Sequence, residues 1–145
     1  MDRIKALPLG AKLVLASGPL LFLNLSFTWQ RIEVDFGPAG EAERLLDGWD
    51  RPGLLVGLLT LALVALTGVR HLTEAELPGR VPWDGAVLAL AGLVLALTVA
   101  KNLSDAGSTL ASYVGIGLAA LVAAGAFLEW SRSRAPRARA LSRGA

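Results

Sequence analysis

Six carboxylates lie within an 18-residue stretch of this 145-residue chain and form its densest group of side chains able to bind a cation. Calcium takes about six to eight oxygen ligands, and carboxylates supply them. The spacing of the acids does not match the regular loop of known calcium-binding motifs. We therefore interpret them as a solvated acidic surface, with cation binding as the alternative. The six are Glu33, Asp35, Glu41, Glu43, Asp47 and Asp50.

The rest of the chain offers few side chains for catalysis. It contains no cysteine, which excludes thiol nucleophiles, thiolate metal ligands and disulfides. Its single histidine, His71, follows Arg70 in a polar connection, and we interpret it as a solvated side chain rather than a ligand. No acid or base occupies the middle of a long apolar run, where ionisable groups mark proton and ion pathways. The sequence therefore predicts a protein that is not an enzyme and has no cofactor or metal site.

The elements that position these side chains are four long runs without charge. The chain is 54% hydrophobic and only 18% charged, with a mean hydropathy of +0.55. A helix needs about 20 mostly apolar residues to cross about 30 Å of hydrocarbon. The runs predict spans at about 10–30, 52–70, 82–103 and 108–130, within a single domain 1–130. The predicted fold class is an all-α membrane protein, a four-transmembrane-helix bundle with a short extracellular β-hairpin-like loop between helices 1 and 2.

The distribution of lysine and arginine predicts which side of the membrane each connection faces. Ten basic residues flank the ends shared by both termini and the connection between spans two and three, whereas four flank the other ends, where seven acids outweigh them. Basic residues near span ends are retained in the cytoplasm. We therefore predict a multi-pass protein of the cell (plasma) membrane with both termini cytoplasmic and an outer loop at 31–51.

The outer loop carries a strand signal. Residues 31–36 (RIEVDF) alternate polar and apolar side chains, and Gly37-Pro38 marks a turn. The segment 41–49 returns as a second strand or a short helix. Tryptophan is favoured at membrane interfaces because its ring is apolar and its N–H is polar. The predicted interface anchors are Trp29, Trp49, Trp83 and Trp130.

Small residues spaced three or four apart predict how the spans pack, because membrane helices associate through close backbone approach rather than hydrophobic burial. Spans three and four, adjacent and antiparallel, are expected to pack stripe against stripe. We favour packing inside one bundle over self-association into an oligomer. The predicted packing residues are Gly53 and Gly57 in span two, Ala89, Gly92 and Ala96 in span three, and Ala111, Gly115, Ala119 and Ala123 in span four.

The C-terminal segment 131–145 is basic and is predicted to be a disordered cytoplasmic tail. Each arginine near an anionic leaflet contributes about 1 kcal/mol, so the tail is expected to contact anionic lipid. It has no aromatic residue on which bases could stack, which argues against nucleic-acid binding. Its predicted lipid-contacting residues are Arg132, Arg134, Arg137, Arg139 and Arg143.

Three segments carry a resemblance to known proteins: residues 21–30 (LFLNLSFTWQ), the loop end Asp47-Gly48-Trp49, and residues 107–115 (GSTLASYVG) before the alanine-rich last span. In these features the chain resembles uncharacterised small four-span integral membrane proteins of actinobacteria. That resemblance implies four spans and an outer first loop, and it assigns no activity. The layout is also similar to that of claudin-like proteins, although the two cysteines and the W-GLW pattern of that family are missing.

Two classes of function fit these observations. The first is a non-enzymatic scaffold or accessory subunit that acts through helix packing and its extracellular loop, on a second copy or on a membrane-protein partner. The second is an oligomeric channel or transporter for a small solute or ion, with a pore between protomers. The polar residues at membrane depth are Asn24, Thr60 and Thr98, on separate spans, and they do not form one polar face. The sequence therefore favours the scaffold.

Overall fold

The computed structural model describes residues 6–73, 82–105 and 107–143 of the chain. Four helices and one hairpin account for most of them. The elements, in chain order, are α1 (Leu9–Asn24), β1 (Thr28–Asp35), a 3-10 turn (Gly37–Ala39), β2 (Glu41–Asp47), α2 (Arg51–Leu72), α3 (Trp83–Ser104) and α4 (Leu110–Arg143).

The four helices pack in a closed ring. Each helix contacts the next one along the chain, and α4 returns to pack against α1. Neighbours are antiparallel: Lys101 near the end of α3 meets Asp50 at the start of α2, and Arg70 near the end of α2 meets Asp84 at the start of α3. We call the end that carries the β-hairpin the hairpin end, and the other the opposite end.

The bundle is apolar on its outside and carries polar side chains inside. Two apolar clusters, one around Leu63 and Val122 and one around Leu21 and Trp29, fill the interior. Ser17, Thr60, Thr67, Thr98, Lys101 and Ser112 are also buried there. The exposed large apolar side chains of the helices include Leu20, Leu23, Leu54, Leu58, Leu61, Leu93, Leu121 and Phe127. A helix surface of this kind suits lipid, which cannot hydrogen-bond to a polar side chain.

Three of the helices are long and apolar enough to cross a membrane: Arg51–Leu72, Trp83–Ser104 and the Leu110–Arg134 part of α4. The first helix is shorter than the predicted span 10–30, because it ends at Asn24 after 16 residues. Two tight turn bonds, from Ser26 N to Leu23 O and from Phe27 N to Asn24 O, end the helix. From Thr28 onward the chain is a strand, as aromatic and β-branched residues favour when a pairing partner is present.

The C-terminal segment differs from the predicted disorder. The backbone of α4 continues as a helix to Arg143. Alanine and arginine are among the strongest helix formers, and the segment follows directly on a long helix, so no new nucleus is needed. The helix thus extends through most of the segment for which charge predicts disorder.

The predicted stripe of α3 does not pack against α4. Ala89, Gly92 and Ala96 are exposed, whereas Val87, Ala91, Val94, Thr98 and Lys101 form the buried face. These five residues recur at intervals of three and four, so one rotation of the helix buries all of them. This rotation brings Lys101 to Asp50, and a buried charge without such a partner would be costly. The small residues are consequently left on the outside.

The glycines of α2 accommodate the loop rather than another helix. Gly53 lies directly against the carbonyl oxygen of Gly48, and a Cβ on Gly57 would come 2.7 Å from Cζ3 of Trp49. In α4, Gly115 and Ala119 are buried, while Ala111 and Ala123 are half-buried against the apolar clusters. A Cβ on Gly115 would come 2.5 Å from the ring of Trp29. Small residues in α2 and α4 therefore make room for the two tryptophans of the loop.

These positions predict opposite outcomes for two glycine substitutions. Gly53→Ala forces a methyl group onto a rigid backbone carbonyl, and such overpacking destabilises a core by about 1–3 kcal/mol. Gly92→Ala meets nothing within 4 Å and is expected to change stability by less than about 1 kcal/mol. Thermal unfolding of both variants in the same detergent checks this. Equal melting temperatures would contradict the packing of α2 against Gly48.

Candidate functional site

The hairpin at the end of the bundle is the candidate site, and its register is simple. β1 and β2 pair antiparallel, with Arg31 opposite Leu45, Glu33 opposite Glu43 and Asp35 opposite Glu41. Opposite residues share a face, so these six side chains lie on one side. The other side carries Ile32 and Val34, which are half-buried, together with their partners Arg44 and Ala42. One face of the hairpin is therefore dominated by carboxylates.

The base of the hairpin is attached to the connection between α3 and α4. The backbone N of Arg31 donates to the carbonyl of Gly107 at 3.0 Å, and Thr109 N donates to the carbonyl of Trp29 at 3.1 Å. The Thr109 hydroxyl also donates to the carbonyl of Thr28. Gly107 has φ +66°, and its Cα lies against the Arg31 carbonyl, so only glycine fits there. Residues 107–109 thus attach to the base of β1 through an isolated antiparallel bridge between Gln30 and Ser108.

Trp29 lies in the protein interior rather than at an interface. Its side chain is completely buried, and its Nε1 donates to the carbonyl of Asn24 at 2.9 Å. The prediction that Trp29 anchors the chain at a membrane interface is therefore wrong: its ring fills the space that Gly115 leaves beside the end of α1. The available signal was the alternation of polar and apolar side chains at residues 31–36, because the strand it predicts extends back to include Trp29.

The other three tryptophans are half-buried. Trp49 Nε1 donates to the Ser26 hydroxyl at 3.0 Å, and its ring meets Phe22 edge to face at 5.0 Å. At the opposite end, the Arg134 guanidinium lies 4.1 Å from the centre of the Trp130 ring. An exposed cation–π pair of this kind contributes about 0.5–1 kcal/mol.

The hairpin end is held by a buried lysine. Lys101 Nζ contacts Asp50 Oδ2 and Asp105 Oδ2, each at 2.9 Å, and lies 5.4 Å from the centre of the Trp29 ring. The Lys101 side chain is 0% exposed and that of Asp105 is 6% exposed, whereas Asp50 is 41% exposed. Asp50 also caps α2, since its Oδ1 accepts from Gly53 N at 3.0 Å. We call Lys101, Asp50, Asp105 and Trp29 the clamp.

Lys101 does not follow the usual course of a lysine near the end of an apolar helix, whose stem runs along the helix so that the ammonium reaches water. Instead the ammonium is enclosed, because two carboxylates and an aromatic face replace its hydration. The four-residue interval between Lys101 and Asp105 was the available signal for one of these pairs. The second partner, Asp50, is 51 residues away and no local pattern indicates it.

The six acids of the loop therefore have separate environments. Asp50 belongs to the clamp, and Asp47 Oδ1 accepts from Trp49 N at 3.0 Å. Glu43 pairs with Arg31. Within the part of the chain that the structure describes, no three His, Cys, Asp or Glu side chains are grouped as metal ligands. The structure thus spreads the acids along the hairpin instead of gathering them around one point.

The opposite end has its own ion pairs. His71 Nε2 lies 3.2 Å from Glu129 Oε2, with side chains 18% and 12% exposed, and Arg70 pairs with Asp84 beside them. The sequence predicts a solvated side chain for His71, but in the structure His71 contacts the Glu129 carboxylate and is largely buried. The pair joins α2 to α4, which face each other across the ring.

The three polar residues that the sequence offers for a pore point into the bundle. Thr60 and Thr98 are completely buried and Asn24 is 7% exposed. Thr98 Oγ1 donates to the carbonyl of Val94 at 2.7 Å, one turn earlier. Because both threonines face the interior of their own protomer, neither can line a pore between protomers.

The clamp predicts how its members respond to substitution. Lys101→Met leaves two carboxylates without their cation, one of them almost fully buried, and is expected to cost about 3 kcal/mol. It should also speed amide hydrogen exchange in the hairpin relative to α2. The triple variant with Asp50→Asn and Asp105→Asn in addition should recover part of the loss, because no uncompensated charge remains. Arg51→Met, at an exposed position on the first turn of α2, is the control for removal of a basic side chain. A Lys101→Met protein as stable as this control would contradict the clamp.

Comparison with known proteins does not assign this chain to a family. No protein-family model matches the chain, and no curated protein or solved structure is significantly similar to it. The resemblance to small four-span membrane proteins of actinobacteria stays a prediction, and the function must be argued from this molecule alone.

Proposed function

We propose that the chain is a four-span scaffold or accessory subunit of the cell membrane, without enzymatic activity, which presents its hairpin to a partner protein outside the cell. The membrane part of the proposal is supported by the apolar outside and polar inside of the bundle. It is also supported by the three helices of sufficient length. Lipid bilayers including anionic lipids are its surroundings in this proposal.

α1 is the shortest of the four proposed spans, and its packing supports a crossing. At about 1.5 Å per residue its 16 residues measure about 24 Å, somewhat less than a hydrocarbon layer. It lies between α2 and α4, antiparallel to both, so it shares their depth. Its exposed side chains Leu20 and Leu23 are apolar. A short span is accommodated by local thinning of the bilayer at a modest cost per ångström.

The orientation follows from charge at the two ends. The hairpin end carries the acid-rich loop, and the opposite end carries Arg70, Arg132 and Arg134. Arginine near a span end keeps that end in the cytoplasm. We therefore propose that the hairpin lies outside and that both termini, including the basic helical extension of α4, lie inside against anionic lipid.

Topology can be tested cleanly because the chain has no cysteine. Single cysteines introduced as Glu41→Cys, Ala6→Cys and Thr73→Cys report the hairpin, the residues before α1, and the end of α2. In intact cells a membrane-impermeant maleimide should label only the first, and permeabilisation should expose the other two. Labelling of both Glu41→Cys and Ala6→Cys from outside would show that α1 does not cross.

The scaffold part rests on a single observation: the hairpin is held firmly at its base while its strands remain exposed. Clamp contacts, the bonds to residues 107–109 and the buried Trp29 hold the base. Beyond it, every residue of β2 except Leu46 is exposed, and Phe36 at the tip is 59% exposed. A preorganised surface loses less conformational entropy on binding than a mobile loop. The hairpin is thus built for recognition.

In-cell photo-crosslinking tests the scaffold directly. A photoreactive amino acid at Leu45, which is 56% exposed on the hairpin, should yield one discrete adduct with another chain. The same probe at Leu58, equally exposed on α2, should give lipid adducts instead. Lys101→Met in the Leu45 probe strain should reduce the adduct several-fold by loosening the hairpin. A probe at Leu45 that labels only water and lipid would argue against a partner.

The alternative, an oligomeric channel or transporter, gains no support from the positions of Thr60 and Thr98. Both are enclosed within one bundle. Flux through liposomes carrying the purified protein, abolished by Thr60→Val or Thr98→Val, would favour the channel and displace the scaffold.

A further inference from the structure

We infer that the free edge of β1, at Glu33 and Asp35, binds an extended basic segment of the partner as an added strand. This rests on the proposed function and specifies the chemistry of the partner. Strand addition supplies affinity through main-chain hydrogen bonds and specificity through the side chains on alternate residues.

The hydrogen-bond pattern of β1 shows which backbone groups point to that edge. Trp29 and Arg31 direct their backbone groups away from β2, toward residues 107–109. Along a strand these directions alternate, so Glu33 and Asp35 also direct their N–H and C=O groups away from β2. In the described chain, the backbone bonds between residues 107–109 and β1 involve only the backbone groups of Trp29 and Arg31. No backbone group of the described residues outside the hairpin pairs with Glu33 or Asp35.

The space beside this edge is open and shaped in part by the same elements. A cavity of about 570 Å³ is lined by Arg31 and Glu33 on one side and by residues 107–110 on the other. The lining includes Arg31, whose backbone N–H is bonded to Gly107, and Glu33, whose backbone groups on the same edge of β1 have no partner among the described residues. An added strand would therefore lie along β1 beside Glu33 and Asp35, next to the attached base of the hairpin.

Charge selects the kind of segment that fits. Glu33 faces Glu43, and Asp35 faces Glu41, directly across the hairpin. Such like-charge pairs are unfavourable. Among the described residues Arg31 alone offsets them, through Glu43, while Glu33, Asp35 and Glu41 form no ion pair. Lysine or arginine at every second position of an added strand would lie beside Glu33 and Asp35 and remove the repulsion.

The same charges argue against a second copy of this chain as the occupant. Two β1 edges paired antiparallel would bring Glu33 and Asp35 of one copy against those of the other. Natural sheets use charged edge residues in this way to prevent self-pairing. The edge is therefore open to a basic strand and closed to its own copy.

Binding of synthetic peptides to the full chain in neutral-lipid nanodiscs tests the inference. The probe is the heptapeptide Thr-Lys-Val-Lys-Val-Lys-Thr, and its matched control is the same peptide with alternate backbone nitrogens methylated. The control keeps the charge and loses the strand hydrogen bonds. We expect the unmethylated peptide to bind at least 10-fold more tightly. Equal affinities would show attraction by charge alone and overturn the inference.

Protein variants locate the edge. Glu33→Gln should weaken binding of the probe peptide about 5-fold or more. Glu41→Gln removes the same charge from the same face of the hairpin, but from β2, farther from the free edge of β1. It should therefore weaken binding less. Equal effects of the two variants would also overturn the inference. A Leu45 crosslink in cells without peptide binding would reject the basic strand and leave the scaffold standing. Peptide binding without any crosslink would reject the scaffold.

Discussion

The ion pairs of Lys101 with Asp50 and Asp105 are the constraint on which the hairpin end depends. A buried ammonium is tolerated only while both carboxylates and the Trp29 ring surround it. Those partners come from the start of α2, the residue after α3 and the strand that follows α1. Satisfying one charge therefore aligns three helices, sets the rotation of α3 and holds the base of the hairpin.

The clamp also explains where the small residues lie. Once Lys101 turns α3 inward, Thr98, Val94, Ala91 and Val87 follow it, and the alanine–glycine stripe faces outward. In α2 and α4 the glycines instead admit Trp49 and Trp29. Small residues in α2 and α4 thus mark places where a bulky side chain packs closely. In α3 the burial of Lys101 determines which face of the helix turns inward.

The hairpin combines a firm base with an exposed, acid-rich upper part. Opposed carboxylates weaken a two-stranded hairpin, which is already marginal by itself. Attachment to residues 107–109 and to the clamp compensates for that weakness. These opposed acids are the reason we propose a basic strand as the partner of the hairpin.

The sequence by itself determined the helical class, three helices of membrane length, a hairpin after the first helix and the strand alternation of residues 31–36. These follow from hydropathy and local periodicity, which act over a few neighbouring residues. Only the tertiary structure decided that α1 ends at Asn24, that Trp29 and Lys101 are buried, and that His71 meets Glu129. Each of these depends on partners distant in the chain, such as Asp50 for Lys101, and local patterns carry no information about such partners.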